Sequence, residues 1–113
     1  MDPYNRARAA AGQDYTDRLP VAQYRRDVRA EIAALREAMT TLAAIRWPAR
    51  VAPYVHALRT TDMIADLGCE RDMAKARSYG QADTISFNQV CTQAQNTNNA
   101  DTIRSLLHLP PQS

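Results

Sequence analysis

Two cysteines, Cys69 and Cys91, lie eleven residues on either side of Gly80, and this symmetry constrains the fold more than any other feature. Both flanking stretches have helical apolar spacing, and glycine readily adopts the backbone conformations of a turn. If the chain reverses at Gly80, the two helices run antiparallel and the thiols face each other at one level. Because a disulfide requires Cα atoms within roughly 7 Å, we predict a Cys69–Cys91 bond.

The composition favours an all-α domain with a small core. A chain of 113 residues has the size of one domain. Its hydrophobic fraction is 45%, but 20 residues are alanine and only three are glycine, which favours helix over strand. Because an alanine-rich core buries little apolar area, a disulfide that joins two core helices is expected to contribute substantially to stability.

Apolar periodicity predicts three main helices, of which the first has the clearest pattern. It follows Pro20 and has apolar residues three or four apart, as one helix face requires: Val21, Tyr24, Val28, Ile32, Leu35, Met39, Leu42 and Ile45. Trp47-Pro48 ends it, because proline disfavours helix at the preceding residue. The second helix then runs to about Arg77.

The third helix is predicted to begin near Asp83 or Thr84 and to carry the apolar pattern to Leu109. A polar stretch, residues 95–99, interrupts that pattern. One helix that crosses the stretch and a break near Asn98-Asn99 are both compatible with it, and we favour the single helix.

The two predicted turns bring apolar residues of the three helices into common layers. The fold class is therefore an antiparallel, up-down three-helix bundle that spans residues 20–109 and is stapled by the disulfide. Residues 1–19 form a tail or a short fourth helix that stops at Gly12, and residues 110–113 form a C-terminal tail. The predicted layers are Tyr24–Met73–Phe87, Val28–Cys69–Cys91, Ile32–Ala65–Ala94 and Leu42–Val55–Leu106.

Two short motifs resemble those of small helical domains in actinobacterial secreted proteins and lipoproteins of unknown function. These are Trp47-Pro48 after the first helix and the segment from Ile103 to Pro111, which is similar to a hydrophobic-Arg-x-x-Leu-Gly-Leu-Pro-Pro ending. His108 stands where that pattern has glycine. The resemblance implies an exported or membrane-tethered domain and no particular activity.

Charge and hydropathy leave two cellular locations open. The net charge is +2, which is too balanced to indicate nucleic acid as a partner, and no apolar run approaches the ~20 residues of a membrane-spanning helix. The chain opens Met1-Asp2-Pro3, without the apolar core of a secretory signal. Either the domain is extracytoplasmic, with its signal or anchor on a segment absent here, or it is cytoplasmic with buried, unpaired thiols.

A basic cluster on the first helix, Arg25, Arg26 and Arg29, is a candidate surface for phosphate, anionic lipid headgroups or an acidic partner. Asp27 and Glu31 interrupt it, and no aromatic stacking platform accompanies it. Nucleic acid is therefore not the expected partner, and the ordinary interpretation of such a run is a solvated helix face.

A polar band is the second candidate site. Thr61 and Asp62 on the second helix are predicted to lie level with Asn96, Asn98 and Asn99 on the third. Buried polar side chains need hydrogen-bond partners, so this layer can hold water or a small polar ligand. The alternative is that these residues face solvent or mark a local break in the helix.

Asp62, Asp66 and Glu70 share one face of the second helix, with His56 on a neighbouring face. Such an acidic stripe is usually solvated, and the Glu-x-x-His pairs of di-iron bundles are absent from the sequence. No activated nucleophile adjoins His56 or His108. We therefore predict no catalytic residue, no metal and no cofactor.

The predicted function is that of a non-enzymatic, extracytoplasmic interaction or sensor domain that binds a protein or a small polar ligand. The alternative is a cytoplasmic adaptor or small regulatory protein that binds a partner helix or nucleic acid through the arginine cluster. A third candidate is a ligand- or metal-binding bundle built on Asp62, Asp66 and His56. An exposed apolar stripe including Leu67 and Val90 is expected to allow a homodimer.

Overall fold

The computed structural model describes residues 2–95 and 99–108, and every regular element within these ranges is helical. The all-α class is therefore confirmed, whereas the simple three-helix up-down arrangement is not. The elements are α1 (Asp2–Thr16), α2 (Val21–Ala44), α3 (Ala52–Ala57), a π-helical turn (Leu58–Asp62), α4 (Met63–Met73), α5 (Tyr79–Ser86), α6 (Gln89–Gln95) and α7 (Asn99–Leu106).

Helix α2 is the central element and ends at Ala44, three residues before the boundary predicted at Trp47. Its buried positions are spaced four, three and four residues apart, and Leu35 is only 1% exposed. The helix stops at Ala44 because Ile45 adopts an extended conformation shortly before Pro48. The buried positions are Tyr24, Val28, Glu31 and Leu35.

The second leg of the fold is continuous helical backbone from α3 through the π-helical turn to α4, and it ends at Met73 instead of the predicted Arg77. Leu67 on α4 is buried, so the predicted exposed stripe is wrong for Leu67, whereas Val90 is 41% exposed. Gly68 permits a close approach of α6, because a Cβ there would lie 3.0 Å from Cγ1 of Val90.

The disulfide predicted from the spacing about Gly80 is confirmed. It joins Cys69 on α4 to Cys91 on α6, with a Cα–Cα distance of 4.7 Å. Cys91 is fully buried and Cys69 is half-buried, and the bond joins the second leg to the C-terminal third of the fold.

The predicted third helix is divided, and this is the main difference from the expected topology. Helix α5 begins at Tyr79, earlier than predicted, and ends at Ser86. A new helix then starts because the Asn88 Oδ1 atom accepts a hydrogen bond from the Cys91 backbone N–H at 2.8 Å. The break leaves Phe87 84% exposed, so its predicted place in a core layer with Tyr24 and Met73 is wrong.

The C-terminal helix α7 packs against the beginning of the second leg. Ile103 is buried with Val51 and Val55, and Leu42 and Leu106 pack on the same cluster, which confirms the predicted Leu42–Val55–Leu106 layer. The helix predicted to continue across residues 95–99 includes residues 96–98, which lie outside the described residues. The predicted C-terminal tail, residues 110–113, also lies outside them.

Helix α1 is longer than predicted and belongs to the core. It continues through Gly12 to Thr16, and its Tyr4 and Ala11 side chains are buried. It packs along α2 after a turn in which Arg18 has a left-handed φ of 52°. The Tyr79 hydroxyl fixes this turn from α5, since it lies within hydrogen-bonding reach of the Asp14 and Leu19 carbonyl oxygens.

Replacing Ser78 by alanine should lower the free energy of unfolding by about 1 kcal/mol. Ser78 precedes α5, and its Oγ atom accepts a hydrogen bond from the Gln81 backbone N–H at 3.1 Å. Urea denaturation measures the change. Ser105→Ala on the exposed face of α7 is the control and should change stability by less than about 0.5 kcal/mol; equal losses would contradict the capping role.

Candidate functional site

An open groove of about 500 Å³ lies beside α1 and is the candidate functional site. The remaining lining comes from α2, α4 and the α5–α6 segment, and the Cys69–Cys91 disulfide forms part of the wall. The polar part of the groove carries three carboxyl groups and one guanidinium group, and most of the rest is aromatic or aliphatic. The charged and phenolic residues at the polar part are Tyr4, Arg8, Glu31, Asp66 and Glu70.

Two buried carboxyl groups, those of Glu31 and Glu70, meet in the groove lining, and each residue is only 7% exposed. The Tyr4 hydroxyl donates a hydrogen bond to Oε1 of Glu70 at 3.0 Å. The other oxygen, Oε2, is buried without a donor. Since two ionised carboxylates repel strongly away from water, a proton or another positive charge is needed between them.

The pKa values of this pair indicate where the proton resides. Burial, followed by the adjacent Glu31 carboxyl, raises the pKa of Glu70 to about 9. Burial also raises the pKa of Glu31, although the hydrogen bond with Glu70 opposes that rise. At neutral pH Glu70 is therefore protonated, and its Oε2 atom, which accepts no hydrogen bond, is the atom placed to carry the proton toward Glu31.

Asp66 and Arg8 complete the charged part of the groove. Burial raises the pKa of Asp66 to about 6, and the Arg8 guanidinium opposes that rise. At neutral pH Asp66 is thus largely ionised, and Arg8 supplies one positive charge beside it. The polar part of the groove therefore has three carboxyl groups and a single basic side chain.

The sequence contained a signal for this site that the prediction did not use. Glu31 occupies a position in the apolar register of α2, between Val28 and Leu35, and all three are buried. Glu70 likewise follows the buried Leu67 by three residues on α4. An acidic residue in register with a buried face indicates a buried carboxyl group, which is uncommon and needs a partner.

The acidic stripe of the second leg was predicted to be solvated, and this is wrong for most of it. Asp62 and Glu70 are buried, and Asp66 is half-buried. His56 is exposed and stands apart from the carboxyl groups of the groove. Among residues 2–95 and 99–108, no group of three or more histidine, cysteine or acidic side chains is arranged to hold a metal ion.

The predicted polar band is in part a helix cap. The Asp62 carboxylate accepts hydrogen bonds from the Asn99 backbone N–H at 3.0 Å and from its Nδ2 atom at 2.9 Å, so it fixes the first residue of α7. Thr61 is exposed beside it, and Asn96 and Asn98 lie outside the described residues. The π-helical turn ends at Asp62, and this carboxylate already has its partners.

The three arginines predicted to form a cluster on α2 have different environments. The Arg25 Nε atom donates a hydrogen bond to the Ala74 carbonyl oxygen at 3.0 Å, which caps the C-terminus of α4. Arg26 and Arg29 are exposed. The three guanidinium groups therefore do not form one uninterrupted binding surface.

The comparisons with known proteins add no further constraint. No family model, curated protein or solved structure matches the chain. The resemblance to actinobacterial secreted domains thus stays a prediction. No helix of the described residues has the length and apolar character needed to cross a membrane.

Proposed function

We propose that the chain is a non-enzymatic, extracytoplasmic sensor domain that acts by binding a small ligand in the groove beside α1. The observation that carries the proposal is the buried Glu31–Glu70 pair in the lining of a groove of about 500 Å³, which is within the size range of small-molecule sites. Burial of two carboxyl groups opposes folding, and a binding role explains why the fold tolerates it.

The Cys69–Cys91 bond supports the extracytoplasmic part of the proposal. Disulfides form and persist in oxidising compartments and are rare in the cytosol. Here the bond borders the groove, so it holds α6 against α4 and keeps two parts of the lining at a fixed separation. A site of this kind is pre-organised, which reduces the entropic cost of binding.

The cytoplasmic adaptor that binds through Arg25, Arg26 and Arg29 has less support. Arg25 is already engaged in capping α4, which leaves two exposed arginines on that surface. Exposed charges of this number are common on helix surfaces and specify no partner.

A groove-filling variant, Gly12→Leu, tests the proposed function. Gly12 lines the groove, and a Cβ built there meets no heavy atom within 4 Å. Leucine should therefore occupy ligand space without disturbing the packing, and it should favour the helix by about 1 kcal/mol. The measurement is a ¹H–¹⁵N NMR titration with pooled small amines, alcohols and carboxylic acids.

We expect at least one pool to shift the amide resonances of groove residues in the wild type and none to do so in Gly12→Leu. Ala10→Leu is the matched control, since it adds the same side chain at an exposed position of α1. Shifts that persist in Gly12→Leu, or no shift with any pool in the wild type, would contradict the proposal.

A further inference from the structure

We infer that the groove binds a small organic cation, an ammonium group joined to an apolar body, which replaces the proton shared by Glu31 and Glu70. The inference rests on the proposed function and names the chemical class of its ligand. It follows from three features of the groove: an unneutralised cluster of carboxyl groups, a buried carboxyl oxygen without a donor, and an aromatic surface at a suitable distance.

The charge of the lining selects a cation. Glu31, Asp66 and Glu70 contribute three carboxyl groups, whereas Arg8 is the only basic residue among the described residues that line the groove. Arg8 is itself exposed, so solvent weakens its compensation of the buried groups. Only a further positive charge in the groove allows all three carboxyl groups to ionise.

The donor geometry provides a second, independent reason. Glu70 is more than nine-tenths buried, and its Oε1 atom is already satisfied by the Tyr4 hydroxyl. Glu70 is one of the residues that line the groove, and its Oε2 atom is buried and accepts no hydrogen bond. An ammonium group has three N–H donors and no acceptor, so it can satisfy Oε2 together with the neighbouring Glu31 carboxylate.

The remaining lining indicates what the ammonium group is attached to. Tyr24 precedes Glu31 by seven residues on α2, which places the two positions about 10 Å apart along the helix axis. The Tyr24 ring lies 6.0 Å from that of Tyr15 on α1, and both rings line the groove with Met73. A ligand that reaches from the carboxyl pair to these rings needs an apolar or aromatic body.

A metal ion fits the site less well than an organic cation. The carboxyl, histidine and cysteine groups of the described residues do not converge in a metal-binding arrangement. A bare ion would also leave most of the groove volume and its aromatic lining without a contact. The ammonium compound uses both parts of the groove.

Binding is an exchange of cations in which no covalent bond of the ligand changes. The ligand enters as R–NH₃⁺, and the proton on the Glu70 carboxyl group leaves to solvent. Tyr4 and Arg8 on α1, Glu31 on α2 and Asp66 on α4 are the titratable or charged groups that surround this carboxyl group. Because a proton is released, affinity should rise with pH while Glu70 is protonated in the unbound protein.

The test uses 4-phenylbutylammonium as the probe, with 4-phenylbutanol and 4-phenylbutyrate as its neutral and anionic counterparts. Dissociation constants come from NMR titration of the whole chain at pH 7 and pH 8. We expect the ammonium compound to bind at least about tenfold more tightly than the alcohol, and the carboxylate not to bind. Affinity for the ammonium compound should increase by up to about tenfold from pH 7 to pH 8.

Glu70→Gln keeps the acceptor for Tyr4 and removes the charge, so it should weaken ammonium binding by at least about tenfold and abolish the pH dependence. Glu37→Gln on the exposed face of α2 is the matched control and should bind as the wild type does. If Glu70→Gln does not fold, Glu31→Gln tests the same pair.

Equal binding of the alcohol and the ammonium compound would overturn the cation inference and leave the proposed ligand-binding function intact. Wild-type affinity in a folded Glu70→Gln variant would also overturn it. If none of the three probes binds while another pool shifts the groove resonances, the chemical class is wrong. If nothing shifts them, the proposed function fails as well.

Discussion

Replacing both Cys69 and Cys91 by alanine should lower the free energy of unfolding by about 3 kcal/mol. The bond closes a loop with a sequence separation of 22, and the chain-entropy relation gives this magnitude for a loop of that size. The protein has few large core residues and 20 alanines, so such a loss removes much of the stability of a typical small domain.

Urea denaturation of oxidised wild type, reduced wild type and the double-alanine variant measures this effect. The reduced protein and the variant should unfold at similar, lower urea concentrations, and the free energy should depend more steeply on urea because the unfolded chain without the bond exposes more surface. A thiol titration of the oxidised protein after denaturation should detect no thiol, since Cys69 and Cys91 are the only two cysteines. Equal stability with and without the bond would show that it is not a structural element.

Stability should also fall as the pH rises from about 5 to about 9. A carboxyl group whose pKa is higher in the folded protein than in the unfolded chain favours folding while protonated and opposes it once the unfolded form ionises. The pKa of Glu70 rises from 4.5 to about 9 and that of Asp66 from 3.8 to about 6, so Glu70 dominates the upper part of this window. Each of these groups contributes at most about 1.4 kcal/mol per pH unit, so above about pH 6, where Glu70 contributes without Asp66, the slope from Glu70 should not exceed that value.

Glu70→Gln isolates the contribution of the Glu70 carboxyl group to the pH dependence of stability. Glutamine can accept the Tyr4 hydrogen bond and donate to the Glu31 carboxylate, so the variant should be more stable than the wild type at pH 8 and have a flatter pH profile. Glu37→Gln should retain the wild-type slope, because Glu37 is exposed. Parallel profiles for wild type and Glu70→Gln, measured by urea denaturation from pH 5 to pH 9, would show that Glu70 is not the controlling group.

Much of the fold could be predicted wherever a single local sequence pattern was sufficient to define an element. The boundaries of α2 follow from an uninterrupted apolar stripe and from Pro20 and Pro48 at either side. The disulfide follows from the positions of two cysteines about a turn. The break after α5 could not be inferred from periodicity, because it depends on Asn88, whose side chain starts a new helix and moves Phe87 to the surface.

The candidate site was missed for a related reason. Sequence periodicity places Glu31 and Glu70 near the buried faces of α2 and α4, but acidic residues are normally assigned to solvent. Only the packing of α1 against α2 brings Tyr4 to Glu70 and closes the surface over both carboxyl groups. The same packing was not foreseen because α1 is alanine-rich and was expected to stop at Gly12.

The long-range polar contacts of α1 also bear on how the chain acquires its structure during synthesis. Tyr4 is separated from Glu70 by 66 residues, and the carbonyl oxygen of Asp14 is separated from Tyr79 by 65. In a growing polypeptide α1 is therefore made well before Glu70 and Tyr79, the two residues that hold it in place. We therefore expect α1 to dock late in folding, after α4 and α5 have formed the surface that receives it.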